Sequence, residues 1–174
     1  MITLILVSDF SKAVLQLKYI SINRLCDFEF HDAEFTLLSV DKDLSVKAEF
    51  LNIHKDAEQN PHKTDMEIEV AEIIFENFSI QSYESCRAMK QNEKGELYSD
   101  KEQIIFMGSE AYNRFIDQLK AKSVVFDLGV YEEDIYYIDG IGQDPFFSAL
   151  FKFDSVTIWW DKYKKEAWYV RRKQ

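Results

Sequence analysis

The chain has 174 residues and a formal net charge of −10, and 47% of its residues are hydrophobic and 15% aromatic. This length suits a single domain spanning residues 1–174, and the composition is that of a packed globule, which excludes extended disorder. So acidic a chain repels phosphate backbones at long range, which disfavours nucleic acid as its main partner.

The opening apolar run covers only residues 1–7, lacks a basic flank and is soon followed by Asp9. It is too short for a membrane span and differs from a signal peptide, so we expect a β-strand here and no membrane partner. The two cysteines, Cys26 and Cys86, form no Cys-x-x-Cys pair, which favours reduced thiols and a cytoplasmic location.

The next part of the chain mostly follows the two-residue period of β-strands. Residues 15–22 are rich in β-forming side chains, and alternating apolar residues from Phe28 to Phe50 predict a meander with a turn at residues 41–43. Alternation resumes at Met66 and changes phase before Ile80, which suggests a bulge or a bend. Polar loops are predicted at residues 54–65 and 89–102, the second with Gly95 at its tip.

The period changes to that of a helix after a short strand at residues 103–107. Ser109 is the predicted N-cap, and Tyr112, Phe115, Ile116 and Leu119 recur at helical spacing. We interpret this apolar stripe as a core contact.

Short strands follow the helix, at residues 124–128, 133–138 and 146–153, separated by Gly129 and by a turn at residues 139–142. Residues 156–160 and 167–171 then predict a closing hairpin in which Trp159 and Trp160 pair with Trp168 and Tyr169. Together these elements indicate an α+β fold: a mainly antiparallel β-sheet of meanders and hairpins with one or two helices packed on one face.

No sequence motif in the chain indicates a particular reaction. The sequence lacks a nucleophile elbow, a phosphate-binding glycine loop and a calcium loop, and we predict neither a cofactor nor a metal site. His54, Asp56 and His62 are the nearest approach to a metal-ligand group, but they lie in a polar loop where solvated side chains are the usual outcome. Carboxylate chemistry remains open, because 31 acidic residues offer many possible pairs.

The charge is unevenly distributed along the chain. Residues 155–174 hold six basic and two acidic residues, a net charge of +4, which leaves −14 for the remainder. Residues 123–151 contain no lysine or arginine but hold six acidic and seven aromatic residues. Such a segment can contribute side chains to a core and still present a negative, tyrosine-lined surface, which suits a cationic protein partner.

We therefore expect a binding protein and not an enzyme: an acidic inhibitor of the immunity or antitoxin type, covering the cationic cleft of a basic, nuclease-like toxin. In general character, small, acidic and rich in aromatic residues, the chain is similar to immunity proteins of bacterial toxin systems. The alternatives are a carboxylate-based hydrolase or small-ligand-binding domain, and a structural subunit that oligomerises through its closing hairpin. The predicted partner-binding residues are Asp127, Tyr131, Glu132, Glu133, Asp134, Tyr136, Asp139 and Asp144.

Overall fold

The computed structural model describes residues 19–86, 90–95, 97–98 and 104–171. The strands within these residues are β1 (Tyr19–Ile22), β2 (Phe28–Glu29), β3 (Glu34–Val40), β4 (Leu44–Glu49), β5 (Asn52–Ile53), β6 (Met66–Ile68), β7 (Ala71–Glu76), β8 (Ser79–Cys86), β9 (Lys90–Gln91), β10 (Leu97–Tyr98), β11 (Ile104–Met107), β12 (Ser123–Glu132), β13 (Ile135–Ile141), β14 (Phe146–Lys152), β15 (Ser155–Trp160) and β16 (Tyr163–Glu166). The helices are α1 (Gly108–Lys120) and α2 (Trp168–Arg171), and a 3-10 turn covers Leu25–Asp27. The predictions for residues 2–7 and 15–18 lie outside the described residues.

Ten of the strands form one antiparallel sheet in the order β1-β15-β7-β4-β3-β12-β13-β14-β8-β11. A smaller sheet has the order β16-β6-β5-β2, and β9 and β10 pair with each other. This architecture agrees with the prediction of a mainly antiparallel sheet with one or two helices, although strands contribute far more residues than helices do.

One face of the ten-stranded sheet, which we call the inner face, carries the core. Its fully buried side chains include Phe35, Tyr83, Phe147, Phe151 and Trp160. The smaller sheet contributes Phe28, whose ring lies 5.7 Å from that of Trp160 in an edge-to-face contact. Burying large aromatic side chains is the main source of stability in such a core, at about 1.5 to 3 kcal/mol each.

Helix α1 contacts the inner face through Phe115, whose ring centroid lies 5.8 Å from Phe78, 6.3 Å from Phe147 and 6.4 Å from Phe151. The predicted stripe is therefore largely correct, since Phe115, Ile116 and Leu119 are all buried. The predicted cap is wrong. Met107 occupies the N-cap position without a side-chain cap bond, and Ser109 lies inside the first turn.

The closing hairpin is also a wrong prediction. Strand β15 pairs with β1 and β7, β16 pairs with β6 of the smaller sheet, and residues 168–171 are helical. Trp160 is completely buried on the inner face. The oligomerisation alternative depended on an exposed apolar hairpin, so it loses that support.

Two predicted breaks lie inside strands. Gly129 falls within β12, and residues 139–141 belong to β13, because cross-strand pairing continues through both sites. The phase change between Met66 and Ile80 reflects three strands and not one bulged strand. The chain turns at Asn77, with φ +53°, and passes from β7, the third strand in the order of the sheet, to β8, the ninth.

None of the helices in the described part of the chain is both long and apolar enough to cross a membrane.

Candidate functional site: an acidic, tyrosine-lined sheet face

The face of the ten-stranded sheet opposite the core, here called the outer face, is the candidate site where it crosses β12, β13, β14, β8 and β11. Side chains alternate between the two faces of a strand, so the buried Leu128 and Ile138 place their neighbours Asp127 and Asp139 outside. A β-bulge between Val125 and Asp127 keeps both strands in phase with the core.

Cross-strand pairing aligns three carboxyl-bearing residues in one line, which we call the acidic row. Asp127 pairs with Asp139, Asp139 with Ser148, Ser148 with Glu84, and Glu84 with Ile105. Directly opposed side chains in an antiparallel sheet have Cβ atoms about 5 Å apart, where like charges destabilise the sheet. Placing Asp127 opposite Asp139 therefore works against stability and calls for another explanation.

A second line of outer-face residues lies beside the acidic row and contains Gly129, Tyr137, Leu150, Ser82 and Met107. The ring of Tyr137 covers Gly129 so closely that an added Cβ there would lie 3.0 Å from the ring. Glycine therefore lets Tyr137 lie flat across β12 and reach the acidic row.

The Tyr137 hydroxyl donates a hydrogen bond to Asp127 Oδ2 at 2.6 Å. This bond to Asp127, together with burial and the charges of Asp127 and Asp139, raises the pKa of Tyr137 to about 12. The hydroxyl is thus protonated across the physiological range, and it holds the Asp127 carboxylate in a fixed position.

Basic residues are scarce in the described strands that form this face. Strands β8, β11, β12, β13 and β14 contain one lysine, Lys152, and no arginine. Its Nζ lies 2.9 Å from Asp134 Oδ2 at the end of the β12–β13 hairpin. The hydrogen bond from Lys152 lowers the pKa of Asp134 below its usual value. Lys152 therefore neutralises Asp134 and not the acidic row.

The outer face also has an apolar and aromatic component. Tyr131 and Ile105 are 58% and 61% exposed. They border an open depression of about 430 Å³ whose other lining residues are Ser82, Glu84, Tyr137, Asp139, Ser148 and Leu150. Exposed tyrosine is characteristic of protein-binding surfaces, because its ring buries area while its hydroxyl hydrogen-bonds.

The predicted site residues divide into two groups. Asp127, Tyr131 and Asp139 share the outer face, and Glu132, Glu133 and Asp134 are exposed at the adjoining hairpin end. Tyr136 and Asp144 do not join them.

Tyr136 lies on the inner side, where its ring stacks on Phe153 with centroids 4.2 Å apart. Asp144 accepts a hydrogen bond from the core residue Tyr83 at 2.6 Å, and its backbone N–H donates to Gln118 of α1. Both residues therefore contribute to the scaffold beneath the face.

Sequence reasoning missed the contributions of Glu84, Ile105, Ser148 and Leu150 to this face. Strand alternation indicates which residues of β8 and β14 share a side. It gives no information on the pairing of β14 with β8, which are more than fifty residues apart in sequence, so the acidic row was not predictable as a unit.

A second cavity adjoins the acidic row at Asp127. It has a volume of about 440 Å³ and is lined by Glu29, His31, Phe126, Asp127, Trp168 and Tyr169. His31 Nδ1 lies 3.0 Å from the Phe126 carbonyl oxygen, and its backbone N–H donates to Glu29 Oε1 at 3.0 Å. Tyr169 donates to Asp65 at 3.0 Å, and burial and the nearby Asp65 carboxylate raise its pKa.

The remaining candidate groups are dispersed. Within the described residues, no three His, Cys, Asp or Glu side chains are grouped as metal ligands. His54 Nδ1 lies 3.7 Å from Asp65, whereas the ring of His62 packs edge-on against Tyr163. Cys26 is an exposed free thiol.

When the chain was compared with protein-family models, curated proteins and solved structures, it matched none of them.

Proposed function

We propose that this protein is a binding inhibitor of the immunity or antitoxin type, which acts in the cytoplasm and covers the cationic cleft of a basic, nuclease-like toxin. The acidic row and its tyrosines form the contact surface, and the chain itself makes or breaks no bond. A nuclease must present lysine and arginine to hold phosphates, so fixed carboxylates are a natural competitor for the same cleft.

The observation that carries this proposal is the pairing of Asp127 with Asp139 on an outer face whose strands contain no basic residue except Lys152. Opposed carboxylates lower the stability of the free protein. A cationic partner would reverse that effect, because its charges would sit between the two carboxylates. Retaining such a pair is thus better explained by binding than by folding.

The scaffold suits this task. Tyr137 holds Asp127 by a 2.6 Å hydrogen bond. Strands β12, β13 and β14 are fixed to the core by their buried side chains Leu128, Ile138 and Ala149. A rigid array of charges loses little conformational entropy on binding, which increases affinity. Exposed Tyr131 and Ile105 would supply the apolar contacts at the edge of the charged array.

The experiment uses the basic protein encoded beside this chain, tested as a nuclease with and without the purified inhibitor. We expect stoichiometric loss of nuclease activity and a dissociation constant that weakens steeply between about 50 and 200 mM salt, as charge-steered association does.

The matched control is the double variant Asp127→Lys and Asp139→Lys, which should abolish inhibition while keeping the wild-type circular dichroism spectrum, since both side chains lie on the outer face, away from the core. Full inhibition by this double variant, or an affinity indifferent to salt, would refute the proposal.

A further inference from the structure

The cavity between β12 and α2 has features that the acidic row lacks. Two flat aromatic side chains, Phe126 and Trp168, contribute to its lining, and the carboxylates of Glu29 and Asp127 contribute two acids. None of the six described lining residues is a lysine or an arginine. The described lining is therefore rich in acceptors and aromatic surface.

The carboxylates of this cavity are each held at one oxygen. Glu29 Oε1 accepts the His31 backbone N–H, and Asp127 Oδ2 accepts the Tyr137 hydroxyl. Their second oxygens, Glu29 Oε2 and Asp127 Oδ1, receive no hydrogen bond from the described residues. Two carboxylates are thus held in place while each keeps an oxygen available to an incoming donor.

His31 adds a third acceptor. A carbonyl oxygen only accepts hydrogen bonds, so the 3.0 Å contact between His31 Nδ1 and the Phe126 carbonyl requires the proton to be on Nδ1. In the neutral ring, Nε2 then carries the lone pair. Nε2 lies 3.7 Å from Asp32 Oδ1, beyond hydrogen-bonding distance.

We infer that this cavity binds an arginine side chain of the basic partner, an inference that rests on the proposed function. Guanidinium is planar, carries five N–H donors and no acceptor, and stacks on aromatic faces, so it matches a set of acceptors beside Phe126 and Trp168. Lysine offers a compact charge without the flat surface. Asp127 belongs to both the cavity and the acidic row, so the arginine would anchor one end of the same interface.

The test uses N-acetyl-arginine methylamide as the probe, titrated into the isotope-labelled full chain by NMR. The matched controls are the citrulline analogue, which has a similar shape without the charge, and the lysine analogue. We expect the arginine probe to shift the indole resonance of Trp168 with a dissociation constant on the order of millimolar, as for a fragment of this size. The citrulline analogue should bind at least about tenfold more weakly, because a charge-assisted hydrogen bond is lost.

Three variants locate the binding. Glu29→Gln keeps the acceptor for the His31 N–H and should weaken probe binding about tenfold. Asp139→Asn lies in the acidic row outside the cavity and should change probe binding less than about twofold. Trp168→Leu provides a second cavity variant, and a well-dispersed spectrum identifies every folded protein. Equal binding of the arginine and citrulline probes, or no shift at Trp168, overturns the inference.

The same variants separate this inference from the proposed function. If the basic partner is inhibited and Asp139→Asn weakens the complex while Glu29→Gln and Trp168→Leu leave it unchanged, the arginine pocket is wrong and the inhibitor function stands. If the arginine probe binds but the basic partner is neither bound nor inhibited, the pocket stands and the inhibitor function is wrong.

Discussion

Two halves of the outer face differ in how their carboxylates are paired: those on β3 and β4 contact lysines, and those on β12 and β13 oppose each other. On the outer face of β3 and β4, Lys122 bridges Glu34 and Glu49, and Lys47 Nζ lies 2.9 Å from Glu49 Oε2. The hydrogen bond from Lys47 lowers the pKa of Glu49. On the neighbouring strands β12 and β13, Asp127 and Asp139 oppose each other, and the described hydrogen bond to Asp127 comes from neutral Tyr137.

This difference shows that lysines neutralise Glu34 and Glu49 in one half, whereas in the other half no described ion pair involves Asp127 or Asp139. Both halves belong to the same antiparallel sheet and cover the same core. Backbone geometry therefore does not explain why one half has paired charges and the other does not. A surface selected for stability alone would distribute its lysines over both halves. The half in which Asp127 and Asp139 form no described ion pair is the one we assign to the basic partner.

The largest expected effect is a loss of affinity for the basic partner, which should occur in variants of one half of the outer face and not of the other. The double variant Asp127→Asn and Asp139→Asn should weaken the complex about 100-fold, because two charge-assisted contacts of about 1.5 kcal/mol each are lost. The double variant Glu34→Gln and Glu49→Gln removes the same charge from the other half and should weaken it less than about threefold. Calorimetric titration measures both. Equal losses would mean that overall charge, and not the acidic row, governs binding.

The next effect concerns the titration of Tyr137, measured by NMR of ¹³C-labelled tyrosine and assigned with Tyr137→Phe. In Asp127→Asn, the pKa of Tyr137 should fall from about 12 toward the ordinary value of about 10. The folded pKa is raised, so the stabilisation from this bond is complete below about pH 10 and is lost as the pH rises through about 12. An unchanged pKa in the variant would show that burial, and not Asp127, holds the proton.

A smaller effect separates the halves by stability in urea unfolding. Asp139→Asn should raise the free energy of unfolding by about 0.5 kcal/mol, since it removes a like-charge contact. Lys122→Gln should lower it, since Glu34 would lose its ion pair and Glu49 would keep only Lys47. Changes of the same sign in the two variants would remove the contrast between the halves.

The smallest effect concerns the hairpin end. Asp134→Asn should change partner affinity less than about twofold, because Lys152 already neutralises this carboxylate. Glu133→Gln, one residue away, should weaken binding about threefold, because Glu133 makes no ion pair with the described residues. A larger loss from Asp134→Asn than from Glu133→Gln would place the partner on the Lys152 side of the hairpin.

Local patterns in the sequence predicted the elements that depend on local chemistry. The helical stripe through Phe115 and Leu119, the alternation from Phe28 to Phe50 and the turn at Gly95, with φ +83°, all follow from side-chain period or backbone conformation. The closing hairpin failed because tertiary pairing overrode proximity: β16 finds its partner in β6, nearly a hundred residues earlier. The distance between two segments in the sequence does not show whether a strand will pair with its neighbour or with a distant strand.

The site was predictable in composition and not in arrangement. The lack of lysine and arginine in residues 123–151 directed attention to Asp127 and Asp139, which cross-strand pairing places opposite each other. The same criterion also selected Tyr136 and Asp144, which contact the core, because composition does not specify the face of a strand. It could not select Glu84 or Glu29, whose positions near Asp139 and Asp127 depend on pairing and packing between distant segments.

The central claim is that a basic protein docks on the outer face of β12, β13, β14, β8 and β11 through the acidic row. Mapping NMR shift changes of the labelled chain on addition of the basic partner tests this most directly. The account predicts changes centred on Tyr131, Tyr137, Asp139 and Ile105, with the resonances of Lys47 and Glu49 unaffected. Changes centred on the Lys47–Glu49 half of the sheet or on α1, with the acidic row undisturbed, would contradict it.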